Sequence, residues 1–454
     1  MCGIFGAVLS PEAGISIQNI NDIISHLSKY SETRGRDSSG IAFINNKEKI
    51  IDVLKSNQKI SNLIQASEFI KLKRFHLEKY GKSSFSFIGH SRLVTHGSQL
   101  NSYNNQPVIK DSFVSVHNGI IVNFEKLWNN NKIIKQEYQI DTEIINSLIS
   151  FYLGKGLDFT KAFNKSISQL EGTISTAIIG NKNNFLSLYT NNKSLYVLTD
   201  NLGMTFFASE LYTLKRLHEK LLINQENLEI IKLDCRSFYK VNLDNSYISE
   251  ILFESDNPSS DIDEKRFNIN IKKIPNKRKE SSLLFNIGNI NTSNLKLLQD
   301  NSDSISKLNR CQKCILPETF PFIKYDGNGI CNYCSCYEYE KLLGNNIDVL
   351  KSKLEKYKKS DGSPDCIIPL SGGRDSTFVL HYAKKELGLN PIAFTYDWAM
   401  VTDLARRNIA RICGKMEVEN IIVAADIHQK RNYIRKNVIA WLRSPNLGMV
   451  PLFM

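Results

Sequence analysis

Hydrophobic positions along the first half of the chain follow two periods, which predict strands and helices in turn. A continuous apolar run over 4–9 predicts a buried strand, and a second strand is expected over 41–43. Over 17–30 the apolar residues return every three or four positions, as on one face of an amphipathic helix. A further helix is expected to open at the acidic triplet 141–143.

From residue 365 onward, apolar runs and helical periods alternate regularly. The apolar runs cover 365–370, 392–396 and 421–423, and the helical periods cover 377–387, 402–413 and 428–443. A β-α-β-α-β order predicts a parallel, doubly wound α/β sheet. Such a sheet should have more strands, and 444–454 supply none. We therefore expect this domain to be C-terminally truncated, with a separate chain as a candidate for completing it.

A polar, charge-mixed stretch over 251–305 separates these two regions and reads as a linker. The length of 454 residues suggests two to four domains. We divide the chain into an N-terminal domain (1–250), the linker, a small cysteine-containing segment (306–358) and a C-terminal domain (359–454).

Composition excludes several classes of protein. Hydrophobic residues make up 42% of the chain and no apolar run is long enough to span a bilayer, so we expect a globular protein without membrane insertion. Nine cysteines, five of them within 311–336, and the lack of a basic leader favour a reducing cytoplasm. The net charge of +12 is spread over many lysines, so we expect no nucleic-acid partner.

Cys2 is the first candidate for catalysis. Removal of Met1 would leave Cys2 with a thiol and a free α-amine on one residue. A thiol needs a base to become a nucleophile at neutral pH, and an α-amine with a pKa of about 7.7–8.0 can serve as that base. The alternative is an ordinary buried thiol at the start of the strand predicted over 4–9.

Five polar motifs follow Cys2 in order. They are R-G-R-D-S-S-G (34–40), G-H-S-R-L-V-T-H-G (89–97), N-Q-P (105–107), H-N-G (117–119) and D-T-E (141–143). Together, and in this order behind Cys2, they resemble the class II glutamine amidotransferase domain, over roughly 2–250. The resemblance implies an N-terminal-nucleophile fold, a four-layer α-β-β-α sandwich with two antiparallel sheets.

The same resemblance implies roles for the matched residues. Cys2 would attack the side-chain amide of glutamine, while the Asn118 side chain and the Gly119 N–H would bind the oxyanion that forms. Arg92 would hold the α-carboxylate of glutamine and Asp141 its α-ammonium group. The implied glutamine-binding residues are Arg92, Thr95, His96, Asn118, Gly119 and Asp141.

Two C-x-x-C pairs form a candidate metal site. Sixteen residues separate the pair Cys311 and Cys314 from the pair Cys331 and Cys334. This spacing is typical of zinc ribbons, so we predict a structural Zn²⁺ held by four thiolates, with no position left for water or substrate. Free thiols, or an iron–sulfur cluster that leaves room for Cys336, are the alternatives.

The C-terminal region carries a candidate nucleotide site. The strand predicted over 365–370 leads into S-G-G-R-D-S (371–376), which we call the Gly-rich loop, and then into a helix. A glycine-rich loop at a helix N-terminus can cradle phosphate. The motif resembles the PP-loop of ATP pyrophosphatases, which cleave ATP between its α- and β-phosphates. The resemblance implies that pyrophosphate contacts Ser371, Gly372, Gly373, Asp375 and Ser376. Asp375 would help to place Mg²⁺, and Arg374 would add positive charge.

The cysteine pairs joined to this loop, with Tyr396-Asp397 and Thr402-Asp403 downstream, resemble the N-acetyl sugar amidotransferases of surface-polysaccharide biosynthesis. The whole chain then resembles a glutamine-dependent, asparagine synthetase-like amidotransferase. We predict a glutamine-hydrolysing, ATP-dependent carbon–nitrogen ligase, acting as a homo-oligomer, whose acceptor is a carboxylate on a sugar or sugar nucleotide. Asparagine synthesis, with aspartate as the acceptor, is the main alternative. A tRNA-thiolating enzyme, or a glutaminase whose inactive synthetase part serves as a scaffold, are the others.

Overall fold

A computed structural model describes residues 2–80, 83–94, 97–98, 100–130, 134–221, 227–253, 266–274, 301–337, 347–398 and 401–443. The chain forms two compact units. The first joins Met1–Lys277 to Lys358–Met454, and the second is Arg278–Tyr357. The regions that we assign from the sequence to an N-terminal and a C-terminal domain therefore belong to one compact unit.

Within the described residues, the strands all lie in the first unit. They are β1 Gly3–Leu9, β2 Ser38–Asn45, β3 Ile50–Ser56, β4 Phe85–Arg92, β5 Val108–Lys110, β6 Phe113–Ile121, β7 Gly172–Gly180, β8 Phe185–Thr190, β9 Tyr196–Thr199, β10 Met204–Ala208, β11 Glu229–Lys232, β12 Ser237–Asn242, β13 Ile248–Leu252, β14 Asn268–Lys273, β15 Cys366–Pro369, β16 Pro391–Asp397 and β17 Asn420–Ala424. An eight-stranded sheet has the order β11-β9-β10-β1-β4-β2-β3-β14, and a six-stranded sheet has the order β13-β12-β8-β7-β6-β5. Pairing in both sheets is antiparallel, apart from β14, which runs parallel to β3.

The helices are distributed over both units. They are α1 Ile17–Ser31, α2 Ile60–Leu63, α3 Ser67–Leu77, α4 Phe124–Asn130, α5 Glu143–Gly154, α6 Phe159–Ile167, α7 Leu211–Leu221, α8 Ser302–Ser306, α9 Asn332–Ser335, α10 Ile347–Glu355, α11 Arg374–His381, α12 Asp403–Met416 and α13 Ile427–Arg443. Of these, α8, α9 and α10 belong to the second unit. None of the helices in the described residues is both long enough and apolar enough to cross a membrane.

The two large sheets stack face to face, because side chains alternate between the two faces of each strand. In β1, Ile4 and Val8 enter the core between the sheets, whereas Phe5 and Leu9 enter the core beneath the helices. Helices α1, α3 and α7 cover the outside of the eight-stranded sheet. Helices α4, α5 and α6 cover the six-stranded sheet. The layer order is therefore helix, sheet, sheet, helix.

A third sheet, formed by β15, β16 and β17, is parallel throughout. Its three strands follow one another in chain order, so the reversal of order that a doubly wound sheet requires is not present among the described residues. The stretch 444–454, on which we base the expected truncation, lies outside the described residues, as does most of the expected linker.

Two elements of this C-terminal region pack against the large sheets. Helix α12 lies on β6 and β7. The approach is so close that a Cβ atom on Gly414 would stand 1.9 Å from the Gly172 carbonyl oxygen. At the start of β17, the Glu419 carboxylate accepts a hydrogen bond from the Tyr196 hydroxyl and lies 3.1 Å from Lys232 Nζ. The parallel sheet is thus held against the sandwich in two places. Helix α12 packs on β6 and β7, and Glu419 beside β17 makes polar contacts with Tyr196 and Lys232.

Candidate active site

Cys2 lies at the start of β1, in the middle of the eight-stranded sheet. It directly precedes Gly3, which pairs with Ser91 of β4. The side chain is buried, and its Sγ donates to the Leu93 carbonyl oxygen at 3.5 Å. Burial raises the pKa of the Cys2 thiol above its ordinary value. The thiol is therefore protonated at neutral pH and needs a base before it can attack.

Arg92 ends β4 and is buried by its surroundings. Its guanidinium donates to Asn105 Oδ1 at 2.8 Å and to the Gly97 carbonyl oxygen at 3.3 Å. Because Ile88 of the same strand enters the core between the sheets, the alternation of β4 directs Arg92 toward that space. Two of the predicted glutamine-binding residues, Thr95 and His96, lie outside the described residues.

Asn118, near the end of β6, has an unusual environment. Val114 and Val116 of β6 enter the core between the sheets, so Asn118 continues the same inward face. The side chain is 1% exposed, and neither its amide nitrogen nor its amide oxygen has a hydrogen-bond partner among the described residues. Strand β6 also packs against β1, the strand that Cys2 precedes. Burying an amide without a hydrogen-bond partner costs free energy. The Asn118 side chain is therefore a candidate for contact with a bound ligand.

Gly119 follows Asn118 with a φ angle of +154°. A Cβ atom at this position would lie 1.9 Å from the Thr173 carbonyl oxygen, so a residue with a side chain cannot replace the glycine without moving β7. Asp141, just before α5, is also buried, and its Oδ2 accepts from the Ile121 backbone N–H at 2.8 Å. This hydrogen bond joins the C-terminal end of β6 to the residues that precede the N-terminal end of α5.

A hydrogen-bond network centred on Gln106, a residue to which we assign no role from the sequence, fixes the backbone around Asn118. Gln106 accepts from the His117 N–H at 2.6 Å and donates both to the His117 carbonyl at 3.1 Å and to Thr142 Oγ1 at 3.3 Å. The His117 ring lies 3.1 Å from Thr142 Oγ1 and 3.3 Å from the Thr173 carbonyl. His90 of β4 reaches the His117 carbonyl at 3.2 Å and so ties the two sheets together.

Burial keeps both histidine rings neutral at pH 7, since it lowers the pKa of His117 and places that of His90 well below its ordinary value. Rings that bond to the His117 and Thr173 backbone carbonyls hold the backbone of the site in place. In the sequence, Gln106, His90 and His117 lie inside the ordered motifs, next to the predicted site residues. That position is the feature of the sequence that points to their role.

The Gly-rich loop connects β15 to α11. Ser371 and Ser376 close it, with their hydroxyls 3.0 Å apart and the Ser371 N–H 3.2 Å from Ser376 Oγ. Gly372 has a φ angle of +80°, and a Cβ atom there would lie 2.4 Å from the Ala405 carbonyl oxygen. Gly373 takes the N-cap position of α11 and has no side chain to cap it. The first N–H groups of the helix are therefore available to an anion.

A groove of about 530 Å³ runs from this loop between α11 and α12. Arg374 and Arg411 contribute guanidinium groups, Lys415 an ammonium group and Phe378 an exposed ring. Among the described residues, those that line the groove include cations and no carboxylate. The loop thus adjoins a space that suits an anionic ligand with a planar, apolar part.

The four cysteines of the predicted metal site lie together in the second unit, where all four Sγ atoms are within 4.8 Å of one another. The Cys311–Cys334 and Cys314–Cys331 Sγ distances are 3.9 and 3.5 Å. Thiolates bound tetrahedrally to zinc at about 2.3 Å stand about 3.8 Å apart. The donor set therefore fits a zinc ion, and Cys336 is not part of it.

Comparisons with known proteins address the first unit. Residues 90–216 match the family model for the glutamine amidotransferase domain. A glutamine–fructose-6-phosphate aminotransferase from Bacillus spizizenii is 30% identical over 276 residues, which is 58% of this chain and 41% of that protein. The enzyme of the same name from Chlamydia pneumoniae is 32% identical over 217 residues, 46% of this chain and 32% of that protein. The chain thus spans well under half the length of these relatives.

Among solved structures, glutamine phosphoribosylpyrophosphate amidotransferase from B. subtilis, complexed with ADP and GMP, matches with a TM-score of 0.41 and 19% identity. The match covers 57% of this chain and 50% of that one. The stretch that matches the family model, 90–216, contains Arg92, Asn118, Gly119 and Asp141.

Proposed function

We propose that the chain is a class II glutamine amidotransferase that hydrolyses glutamine at Cys2 and passes the ammonia to an acceptor activated by ATP. The observation that carries the glutamine half is the buried amide of Asn118 beside Gly119, which has no partner among the described residues and lies on a strand that packs against β1. A tetrahedral oxyanion formed at Cys2 supplies the partner that this amide lacks.

The reaction at Cys2 proceeds through a thioester. The α-amine of Cys2, free once Met1 is removed, takes the thiol proton, and the sulfur attacks the side-chain carbonyl carbon of glutamine. Asn118 Nδ2 and the Gly119 N–H donate to the oxyanion. The intermediate collapses, the C–N bond breaks, and the amine returns the proton to the leaving group, which departs as ammonia. Water then cleaves the thioester to glutamate and restores the thiol.

Arg92 and Asp141 hold the two charged ends of the amino acid. The Arg92 guanidinium, already oriented by Asn105, binds the α-carboxylate, and Asp141 binds the α-ammonium group. Thr95 and His96 line the pocket in this proposal. The names of the relatives above include glutamine as a substrate, and the use of glutamine is the one property of theirs that we propose for this chain.

The ATP half belongs to the Gly-rich loop. Ser371, Gly372, Gly373 and Ser376 contact pyrophosphate, with Arg374 supplying charge. Asp375, exposed in the first turn of α11, would hold Mg²⁺, which neutralises phosphate charge when bound. An acceptor carboxylate attacks the α-phosphorus and releases pyrophosphate. Ammonia then attacks the acyl carbon, and AMP leaves.

The acceptor that we propose is a carboxylate on a sugar or sugar nucleotide in surface-polysaccharide biosynthesis. The cationic groove beside the loop, with the exposed Phe378 ring, supports a phosphate-bearing ligand. The four cysteines of the second unit hold a structural Zn²⁺ in this account, since four thiolates occupy every position of a tetrahedral ion.

A glutamine analogue with a diazoketone in place of the amide tests the first half. Peptide mapping should find the adduct on Cys2 alone among the nine cysteines, with Met1 absent and with protection by glutamine. An adduct elsewhere, or unmodified Cys2 behind a retained Met1, would contradict the assignment.

AMP formation with glutamine and magnesium ATP tests the second half. We expect AMP only when a nucleotide-linked uronic acid is present, and less of it from Ser376→Ala than from Ser363→Ala, a serine outside the loop. AMP formed with aspartate would indicate asparagine synthesis. No AMP with either acceptor would leave the C-terminal region as a scaffold.

A further inference from the structure

Several buried polar side chains lie on β2, on β3 and just beyond the end of β3, near the strand that carries Arg92. In β3, Ile51 and Val53 enter the core between the sheets, so the alternation directs Lys55 to the same side. Lys55 pairs with Gly40 of β2, and Gly40 pairs with His90 of β4. Lys55 therefore lies in the cross-strand row that leads to the strand carrying Arg92.

Lys55 is buried without an opposite charge. Only 4% of it is exposed, and among the described residues no carboxylate lies within salt-bridge distance of its ammonium group. The charges that act on it are those of Lys273 and Arg92. Burial, followed by these two cations, lowers the pKa of Lys55 to about 7. Lys110 gives a contrast, since it is equally buried but lies 2.6 Å from the Glu137 carboxylate.

Two buried polar side chains adjoin the row. Ser38 of β2 pairs directly with Arg92, and its hydroxyl has no hydrogen-bond partner among the described residues. Asn57 follows Lys55 by two positions, and both atoms of its amide are buried without a partner in the described part of the chain. Donors left unpaired at three neighbouring positions carry a free-energy cost that an acceptor with several lone pairs would relieve.

An anion is the ligand that satisfies all three groups. A buried ammonium without a counter-charge is strongly unfavourable, and a carboxylate both neutralises it and accepts from hydroxyl and amide donors. Arg92, two positions after His90 on β4, adds a second cation beside the row. The proposed function brings one carboxylate to Arg92 that does not react, the α-carboxylate of glutamine.

We propose that Lys55, Ser38 and Asn57 complete, together with Arg92, the subsite for the α-carboxylate of glutamine, and that Lys55 determines the selectivity for an anionic substrate end. The inference rests on the proposed glutaminase function, because it assigns the carboxylate to the same substrate. It adds three residues from β2 and β3 to a site otherwise built from the ends of β1, β4 and β6.

Glutamine binding can be measured without turnover, on protein that carries Cys2→Ala. Calorimetry would compare L-glutamine with its α-carboxamide, which replaces the charged end by a neutral one. The variants are Lys55→Met and, as a matched control, Lys240→Met, another buried lysine, on β12. We expect Lys55→Met to weaken glutamine binding tenfold or more, to change carboxamide binding less than threefold, and Lys240→Met to change neither. Lys55→Arg should retain most of the affinity.

Equal losses for both ligands in Lys55→Met would show a structural role and would overturn the inference, as would unchanged binding of both. The result is separate from that of the proposed function. Cys2→Ala protein that binds glutamine, alongside wild-type protein that releases no glutamate, would contradict the hydrolysis but not the carboxylate subsite.

Discussion

Leu93 and Ile422 are in contact, and this contact connects the surroundings of Cys2 to the parallel sheet formed by β15, β16 and β17. The Leu93 carbonyl accepts the hydrogen bond of the Cys2 thiol, while its side chain packs against Ile422 of β17. Both side chains are buried, with Ala424 packed beside them. The residue that touches the proposed nucleophile is thus itself part of the junction with the parallel sheet.

Replacement of Ile422 by alanine should lower the free energy of unfolding by about 2–3 kcal/mol, because it opens a cavity beside Leu93. Val423→Ala is the control, since Val423 is 39% exposed and adjoins Ile422 on the same strand. Chemical denaturation measures both. A loss no larger than that of the control would show that the Leu93–Ile422 contact adds little to the docking of β17.

Asn118→Ala should reduce the turnover of glutamine by about 100- to 1,000-fold, as expected for the loss of an oxyanion donor. Stability should not fall, because the amide has no hydrogen bond to lose among the described residues. Asn123→Ala, in contrast, should keep its turnover and lose stability. Asn123 bonds to the Gln169 carbonyl at 2.8 Å and to the Glu171 N–H at 3.0 Å, so its loss should cost about 1–3 kcal/mol of stability.

Steady-state kinetics and thermal denaturation of these two variants separate the roles. Turnover that survives in Asn118→Ala would remove this side chain from the proposed oxyanion site.

The purified chain should contain about one zinc ion, and Cys314→Ser should lose it, since one of four thiolates is then missing. Cys336→Ser should keep the zinc, because Cys336 lies outside the cluster. Elemental analysis of the three proteins tests this. Iron with visible thiolate-to-iron absorption would instead support the iron–sulfur alternative, and equal zinc in all three would exclude Cys314 as a ligand.

Asp52 should make stability dependent on acid pH. Burial raises its pKa, but hydrogen bonds from His76 at 2.8 Å and from Asn270 at 3.1 Å outweigh this and hold the pKa below its ordinary value. Because the folded-state pKa is the lower one, this stabilisation is present above the unfolded pKa and is lost as pH falls through the folded one.

Asp52→Asn should therefore be less stable than wild type at pH 7, by about 1–2 kcal/mol, and the difference should shrink toward pH 3. Glu48→Gln is the control, since Glu48 forms a partly exposed ion pair with Lys79. A stability difference between Asp52→Asn and wild type that does not change with pH would contradict this explanation.

Much of the local structure could be predicted from the sequence, because periodicity is a local property. The helix expected over 17–30 is α1, Ile17–Ser31, and the helix expected over 402–413 is α12, Asp403–Met416. The ordered motifs likewise point to Arg92 and Asn118. No local pattern reveals Lys55, however, because its relation to Arg92 arises from register across three strands.

The docking of α12 on β7 is equally absent from the local sequence. Gly414 in a helix and Gly172 at the start of a strand each have many explanations, and only the fold places one against the other. Predictions that depend on contacts between distant segments, such as the joining of the N-terminal and C-terminal regions in one compact unit, therefore require the structure.

The most direct test of the central claim is the formation of glutamate from glutamine by the purified chain, with and without ATP. Wild type should be compared with Cys2→Ala and with Cys235→Ala, a cysteine outside the proposed site. We expect equal glutamate formation by wild type and Cys235→Ala, and none by Cys2→Ala. Glutamate formation that persists in Cys2→Ala would contradict the claim. So would its absence from wild-type protein whose N-terminal residue is shown by mass spectrometry to be Cys2.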